Sequence, residues 1–194
     1  GSLFNNSGII NNNDTRIINI DAGDSENESI YATMNNTGTI NNTSTWRAGG
    51  LIVQGHLDNE NGGIINNETK IFVLGRKGEL NNKAGGTFNN NGENSVLELR
   101  PNDDTENYGT FNNAGTIMVI SNLVNAGVSS KIQNNGTIIS DSSTARLIIT
   151  NGTLINGTSS ITGTIVLQST WTVNSTNYPP GTYTGNGTVY YGGS

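Results

Sequence analysis

The chain contains no cysteine, which excludes disulfide staples, thiol catalysis, Cys-ligated zinc and iron–sulfur chemistry. Alanine is scarce, and only 12% of the 194 residues are charged, the reverse of what helices favour, so almost no helix is expected. Positive charge is also short: 9 Lys and Arg stand against 15 Asp and Glu, a net of −6, which argues against the basic face a nucleic-acid binder needs. The imbalance lies in residues 1 to 106, which carry 14 acids and 7 bases, whereas the rest holds Asp141 against Lys131 and Arg146. No apolar run approaches the roughly 18 residues of a membrane-spanning helix, and no charged-then-apolar leader is visible. Neither nucleic acid nor a membrane span is therefore expected.

What is abundant is equally selective. There are 34 Asn, 26 Gly and 24 Thr, and Ile outnumbers Leu by 21 to 11. β-Branched residues favour strands, while Gly and Asn tolerate the left-handed conformations of sharp corners. One unit recurs: Gly8-Ile9-Ile10-Asn11-Asn12, Gly38-Thr39-Ile40-Asn41-Asn42, Gly63-Ile64-Ile65-Asn66-Asn67, Gly86-Thr87-Phe88-Asn89-Asn90 and Gly109-Thr110-Phe111-Asn112-Asn113. Weaker copies begin at Gly136 and Gly152, and successive glycines lie 30, 25, 23, 23, 27 and 16 residues apart. A fixed motif at irregular spacing means loops of variable length.

Each unit carries two further segments. Before the glycine comes an apolar residue followed by Asn or a similar residue (Phe4-Asn5, Met34-Asn35, Leu57-Asp58-Asn59, Leu80-Asn81, Ile132-Gln133-Asn134). After the Asn pair comes a β-branched run: Arg16 to Ile20, Leu51 to Val53, Lys70 to Leu74, Val96 to Leu99, Ile117 to Ile120 and Arg146 to Ile149. Three short strands per twenty-odd residues describe a coil of a parallel β-helix, since a propeller blade needs four strands and about 40 residues. Equivalent residues then stack at about 4.8 Å. Ile10, Ile40, Ile65, Phe88, Phe111 and Ile138 are expected to form one inward column, with an amide ladder of Asn12, Asn42, Asn67, Asn90 and Asn113 beside it. About seven coils are expected.

These Gly-Thr-Ile/Phe-Asn-Asn repeats, over roughly residues 3 to 167, resemble the β-helical regions of secreted surface adhesins such as autotransporter passengers and filamentous-haemagglutinin-like exoproteins. The resemblance implies an all-β, right-handed parallel β-helix (β-solenoid) on a cell surface or fibre, hence an extracellular location. It names no ligand and supplies no catalytic residues. Residues 1–167 are assigned to the repeats. Residues 168–194, with Trp171, Tyr178, Tyr183, Tyr190 and Tyr191, are assigned to an aromatic-rich C-terminal cap or hairpin-like end unit built on Thr182 to Thr184 and Thr188 to Tyr190.

Candidate chemistry is sparse. Acids fall mostly between repeats, and His56 is read as a turn residue with no predictable partner, so no catalytic residues are assigned and the chain is read as no enzyme. A β-helical polysaccharide-active enzyme and an ice-binding protein are the weaker alternatives. No cofactor is required, although Asp21, Asp24, Glu26 and Glu28 can gather carboxylates around one calcium ion, which favours oxygen ligands in loops. Tyr31, Trp46 and Tyr108 fall in insertions and are the candidate ligand contacts, since a sugar face stacks on a ring. The function expected is non-catalytic, structural and adhesive, toward a cell-surface glycan or protein. The alternative is a self-assembling fibre subunit that contacts identical subunits end to end.

Overall fold

A computed structural model describes residues 2–13, 18–21, 32–44, 50–75, 78–101, 105–140, 146–149, 152–157, 164–167, 182–184 and 188–191. These residues form 23 short strands and no helix. The strands assemble into three parallel sheets of seven, eight and eight strands; the first 21 strands visit the sheets in rotation, and the last two described strands extend the second and third. Each strand hydrogen-bonds to its equivalent one coil away, so the molecule is a parallel β-solenoid with three strands per coil. At about 4.8 Å per coil, seven coils make a rod on the order of 35 Å long.

The first sheet begins with Leu3–Asn6, the second with Ile9–Asn12 and the third with Ile18–Ile20. Side chains alternate in and out with period two, as pleated strands require. In the first sheet Met34, Leu57, Leu80, Leu123 and Leu147 point inward. In the second the inward column runs Ile10, Ile40, Ile65, Phe88, Phe111, Ile132 and Leu154. The third supplies two inward columns, including Leu51 with Val53, Ile71 with Val73, Leu97 with Leu99 and Ile117 with Val119. Phe88 and Phe111 stack with ring centroids 4.5 Å apart and planes 21° from parallel.

Glycine opens the second-sheet strands because the backbones of successive coils touch there. A methyl group on Gly38 would strike the carbonyl of Gly8, and one on Gly109 would strike that of Gly86. Neither contact can be relieved by a rotamer change, since both partners are main chain.

Two corners are held by buried amide ladders. The one between the second and third sheets is the expected ladder, extended by two rungs: Asn12, Asn42, Asn67, Asn90, Asn113, Asn134 and Asn156, linked Nδ2 to Oδ1 at 2.7 to 2.8 Å. The other, between the first and second sheets, joins Asn6, Asn36, Asn59, Asn82, Asn107 and Asn125 in the same way. Ten of these amides, Asn6 to Asn107 in one ladder and Asn12 to Asn113 in the other, also donate to a main-chain carbonyl of the next coil, as Asn42 does to Lys70 at 2.8 Å and Asn82 to Thr110 at 2.9 Å. A carbonyl only accepts, so this second bond fixes the amide orientation: the NH2 groups of these ten ladder residues point toward the C-terminal end.

Three sequence expectations are corrected. Ile138 stands over Ile117 in the third sheet, and Ile132 follows Phe111 in the second. Arg146–Ile149, read as a third-sheet run, pairs with Asn122–Asn125 in the first. Both arise from one slip: the strand Asn122–Asn125 occupies the first-sheet place that the reading gives to Ile132-Gln133-Asn134, so later segments move on by one sheet. With the slip removed, the ladder spacings become 30, 25, 23, 23, 21 and 22 residues. The third correction concerns the tail, where Thr182–Thr184 and Thr188–Tyr191 do not pair with each other as a hairpin. They extend the second and third sheets in parallel, beside Thr153–Asn156 and Thr164–Leu167.

Candidate functional site

With the interior closed by apolar columns and ladders, chemistry is confined to the outward side chains, and the three faces differ. The third is the most apolar. Ile52, Phe72, Met118 and Ile139 occupy one outward row, interrupted by Glu98, which pairs with Arg100.

The first face carries a cluster of ionisable groups. His56 begins the strand His56–Asn59, and its Nε2 lies 3.1 Å from the carboxylate of Glu79, its partner in the next coil. Lys83 reaches Asp58 at 3.4 Å. Asn81 bridges the two acids, donating to Asp58 at 3.1 Å and to Glu79 at 2.6 Å. His56 is thus a strand residue with a partner, not an unpartnered turn residue. Aligning Gly55-His56-Leu57-Asp58-Asn59 over Gly78-Glu79-Leu80-Asn81-Asn82 predicts these contacts, and this comparison was the signal missed. The strip continues to Glu106, in register with Asn81, so several acids stand on strands rather than between them.

Tyr108 lies at the turn after Asn107, half-buried, and its hydroxyl donates to Glu106 at 2.9 Å. That hydrogen bond, followed by desolvation and the nearby negative charge, raises its pKa above the usual 10.0. The phenol is therefore held along the first face. Tyr31 and Trp46 lie outside the described residues. Of the proposed calcium ligands only Asp21 is described. It is exposed, and its carbonyl accepts the Ala32 amide at 3.2 Å, closing the base of the 22–31 segment. Asp24, Glu26 and Glu28 lie outside the described residues, and among those described no three His, Asp or Glu side chains cluster as metal ligands.

The second face is an amide surface. Asn41 donates to Asn11, Asn66 to Asn41, Asn89 to Asn66 and Asn112 to Asn89, each at 2.8 Å. These outer amides point toward the N-terminal end, opposite to the buried ladders one residue away. Beside this row, Asn13, Thr43, Glu68 and Asn91 form a second column, because the amides of Thr43, Glu68 and Asn91 bond the preceding coil's carbonyls. Together with Asn11, Asn41 and Asn66 they line a recess of about 390 Å³. No helix among the described residues is long and apolar enough to cross a membrane. The chain matches no protein-family model, no curated protein and no solved structure.

Proposed function

We propose that the chain is a non-catalytic, extracellular β-solenoid that serves as a structural and adhesive module of a cell-surface adhesin, its outward rows meeting a cell-surface glycan or protein. The observation that carries this reading is the regular outer amide row on the second face, four links of 2.8 Å joining five successive coils. A row repeated at coil spacing offers many equivalent weak contacts, and linked weak contacts give avidity. The repeat resemblance to surface adhesins supports the same reading. Beads coated with the protein are expected to bind a restricted set of glycan or matrix-protein surfaces while releasing no new reducing ends from polysaccharides. Binding to none of a broad panel contradicts the adhesive role, and release of reducing ends contradicts the non-catalytic one.

A second reading, the self-assembling fibre subunit, is favoured by the first coil. Leu3, Phe4 and Ile9 are 62%, 56% and 71% exposed there, and an apolar recess between Phe4, Ile10, Ile18, Ile20 and Met34 opens at that end. Unpaired strand edges with apolar side chains promote association. Light scattering over a hundredfold dilution separates the two: growth that Phe4→Lys abolishes supports the fibre, and a persistent monomer rejects it.

A further inference from the structure

The recess on the second face is lined entirely by polar side chains. Its seven lining residues, Asn11, Asn13, Asn41, Thr43, Asn66, Glu68 and Asn91, all carry side chains able to hydrogen-bond, and none is aromatic, aliphatic or cationic. The geometry points to this groove as a binding site for an extended, uncharged, polyhydroxylated chain, a neutral linear glycan running along the solenoid axis. This inference rests on the adhesive reading and names its ligand class and place.

The outer row has unused hydrogen-bonding capacity. Asn41 donates one hydrogen to Asn11 and accepts one from Asn66, and Asn66 is placed likewise between Asn41 and Asn89. An amide has two donor hydrogens and two acceptor lone pairs. Each rung is thus held rigidly by its neighbours and keeps one N–H and one lone pair for the outside. The result is one donor and one acceptor per coil, repeating at about 4.8 Å and fixed before any ligand arrives. A hydroxyl both donates and accepts, so a chain of linked sugars, whose repeat in extended β-linked form is close to one coil, meets one rung per sugar. The chain need not be distorted or the rungs reorganised, which limits the entropy cost of association.

The neighbouring column selects against other ligands. Glu68 is the one charged lining residue, and no Lys or Arg lines the recess to offset it, so a carboxylated or sulfated chain is repelled. An apolar ligand finds no apolar side chain, and a lone carboxylate does not make a divalent-cation site. Without an aromatic platform each sugar binds weakly, and affinity has to come from several coils engaged at once.

The test follows the side-chain amide resonances of the labelled protein while cellohexaose, glucose and oligogalacturonate are added separately. Cellohexaose is expected to shift Asn41 and Asn66, at least about tenfold more tightly than glucose, and oligogalacturonate to leave them unmoved. Thr43→Lys lays a long cationic stem across the groove without touching either ladder and is expected to abolish the cellohexaose shifts. Asn41→Ala with Asn66→Ala, if folded by circular dichroism, is expected to remove the shifts at Asn13 and Asn91. Shifts confined to Tyr108 and its neighbours, or shifts that survive Thr43→Lys, overturn the groove while leaving an adhesive module in place. Glucose binding as tightly as cellohexaose, or oligogalacturonate binding better, overturns the extended neutral ligand. No glycan shift together with loss of all bead adhesion overturns both readings, whereas no glycan shift with adhesion to a protein surface overturns the groove alone.

Discussion

Asn90 offers the sharpest test of what holds the coils together. Its side chain is fully buried, accepts from Asn67 at 2.7 Å, and donates to Asn113 at 2.8 Å and to the Thr116 carbonyl at 3.1 Å. Asn90→Ala removes all three bonds. Asn67 keeps a second acceptor, Val96, at 3.1 Å, but the buried Oδ1 of Asn113 loses its donor. Stripping a buried acceptor costs about 1–3 kcal/mol, and each of the other two bonds contributes about 1 kcal/mol net, so a loss of about 3–5 kcal/mol is expected. Asn89 is adjacent in sequence but half-buried on the outer row, where water replaces its bonds to Asn66 and Asn112. Asn89→Ala is expected to cost under about 1 kcal/mol.

Asn90→Asp adds a pH signature. A carboxylate cannot donate to either Asn113 or Thr116, and burial disfavours its charge, so its folded pKa rises above the unfolded value of about 4. A raised folded pKa gives a contribution that is present below the unfolded value and lost as pH rises through the folded one. The variant is therefore expected closer to wild type at about pH 4 than at pH 7, where the missing proton leaves two acceptors facing an anion. Denaturant unfolding at both pH values, with hydrogen exchange at Asn67 and Asn113 to catch local opening of one coil, measures the effect. Equal losses for Asn89→Ala and Asn90→Ala, or an Asn90→Asp penalty independent of pH, refute the ladder as a stabilising device.

Thr105 points into the first-sheet column beside Leu123, almost wholly buried, with no hydrogen-bond partner for its hydroxyl among the described residues. Thr105→Val is expected to raise stability by about 1 kcal/mol in the same unfolding assay. Phe88→Ala is expected to cost about 3–5 kcal/mol, and a double-mutant cycle with Phe111→Ala to return a coupling of about 0.5–1.5 kcal/mol for the stacked rings. Gly38→Ala is expected to destabilise strongly because main chain blocks the methyl, whereas Gly92→Ala, open but at φ +90°, costs about the 1 kcal/mol of a strained backbone; melting temperatures rank the two. The raised Tyr108 pKa means that its bond to Glu106 stabilises the fold below pH 10.0 and is lost as the phenol ionises above it. Ultraviolet difference titration against Tyr108→Phe should show its phenolate appearing late, and Glu106→Gln should bring it back toward the usual value.

Much of the fold is legible in the sequence because a solenoid repeats its constraints. Glycine is demanded wherever backbones touch and Asn wherever a corner carbonyl needs a donor, so Gly86-Thr87-Phe88-Asn89-Asn90 announces both the strand and its ladder rung. The frame is lost where those constraints are shared by different corners. Gly115-Thr116-Ile117 and Gly136-Thr137-Ile138 carry the second-sheet signature but open third-sheet strands. Thr105–Asn107 takes a first-sheet place with Thr at the inward position, so no apolar residue marks it. The ladder of Asn6, Asn36, Asn59 and Asn82 falls on the second residue after each apolar one, whereas the sequence motif draws attention to the residue directly after it, as in Phe4-Asn5 and Leu80-Asn81. Surface chemistry was harder to read, because contacts such as His56 with Glu79 depend on coil register and not on local sequence.

Register is accordingly the claim on which both ladders, the outer amide row and the groove depend. The absence of native cysteine allows a direct measurement: paired cysteine substitutions, oxidised and scored for an intrachain disulfide. Thr110 lies opposite Lys131 in the second sheet, whereas Thr137 lies opposite Thr116 in the third. Neighbours at about 4.8 Å fall within the Cα separation a disulfide accepts. Thr110→Cys with Lys131→Cys is predicted to cross-link while folded, and Thr110→Cys with Thr137→Cys to remain reduced. The opposite result would restore the frame suggested by the glycine motif and contradict the coil register described here.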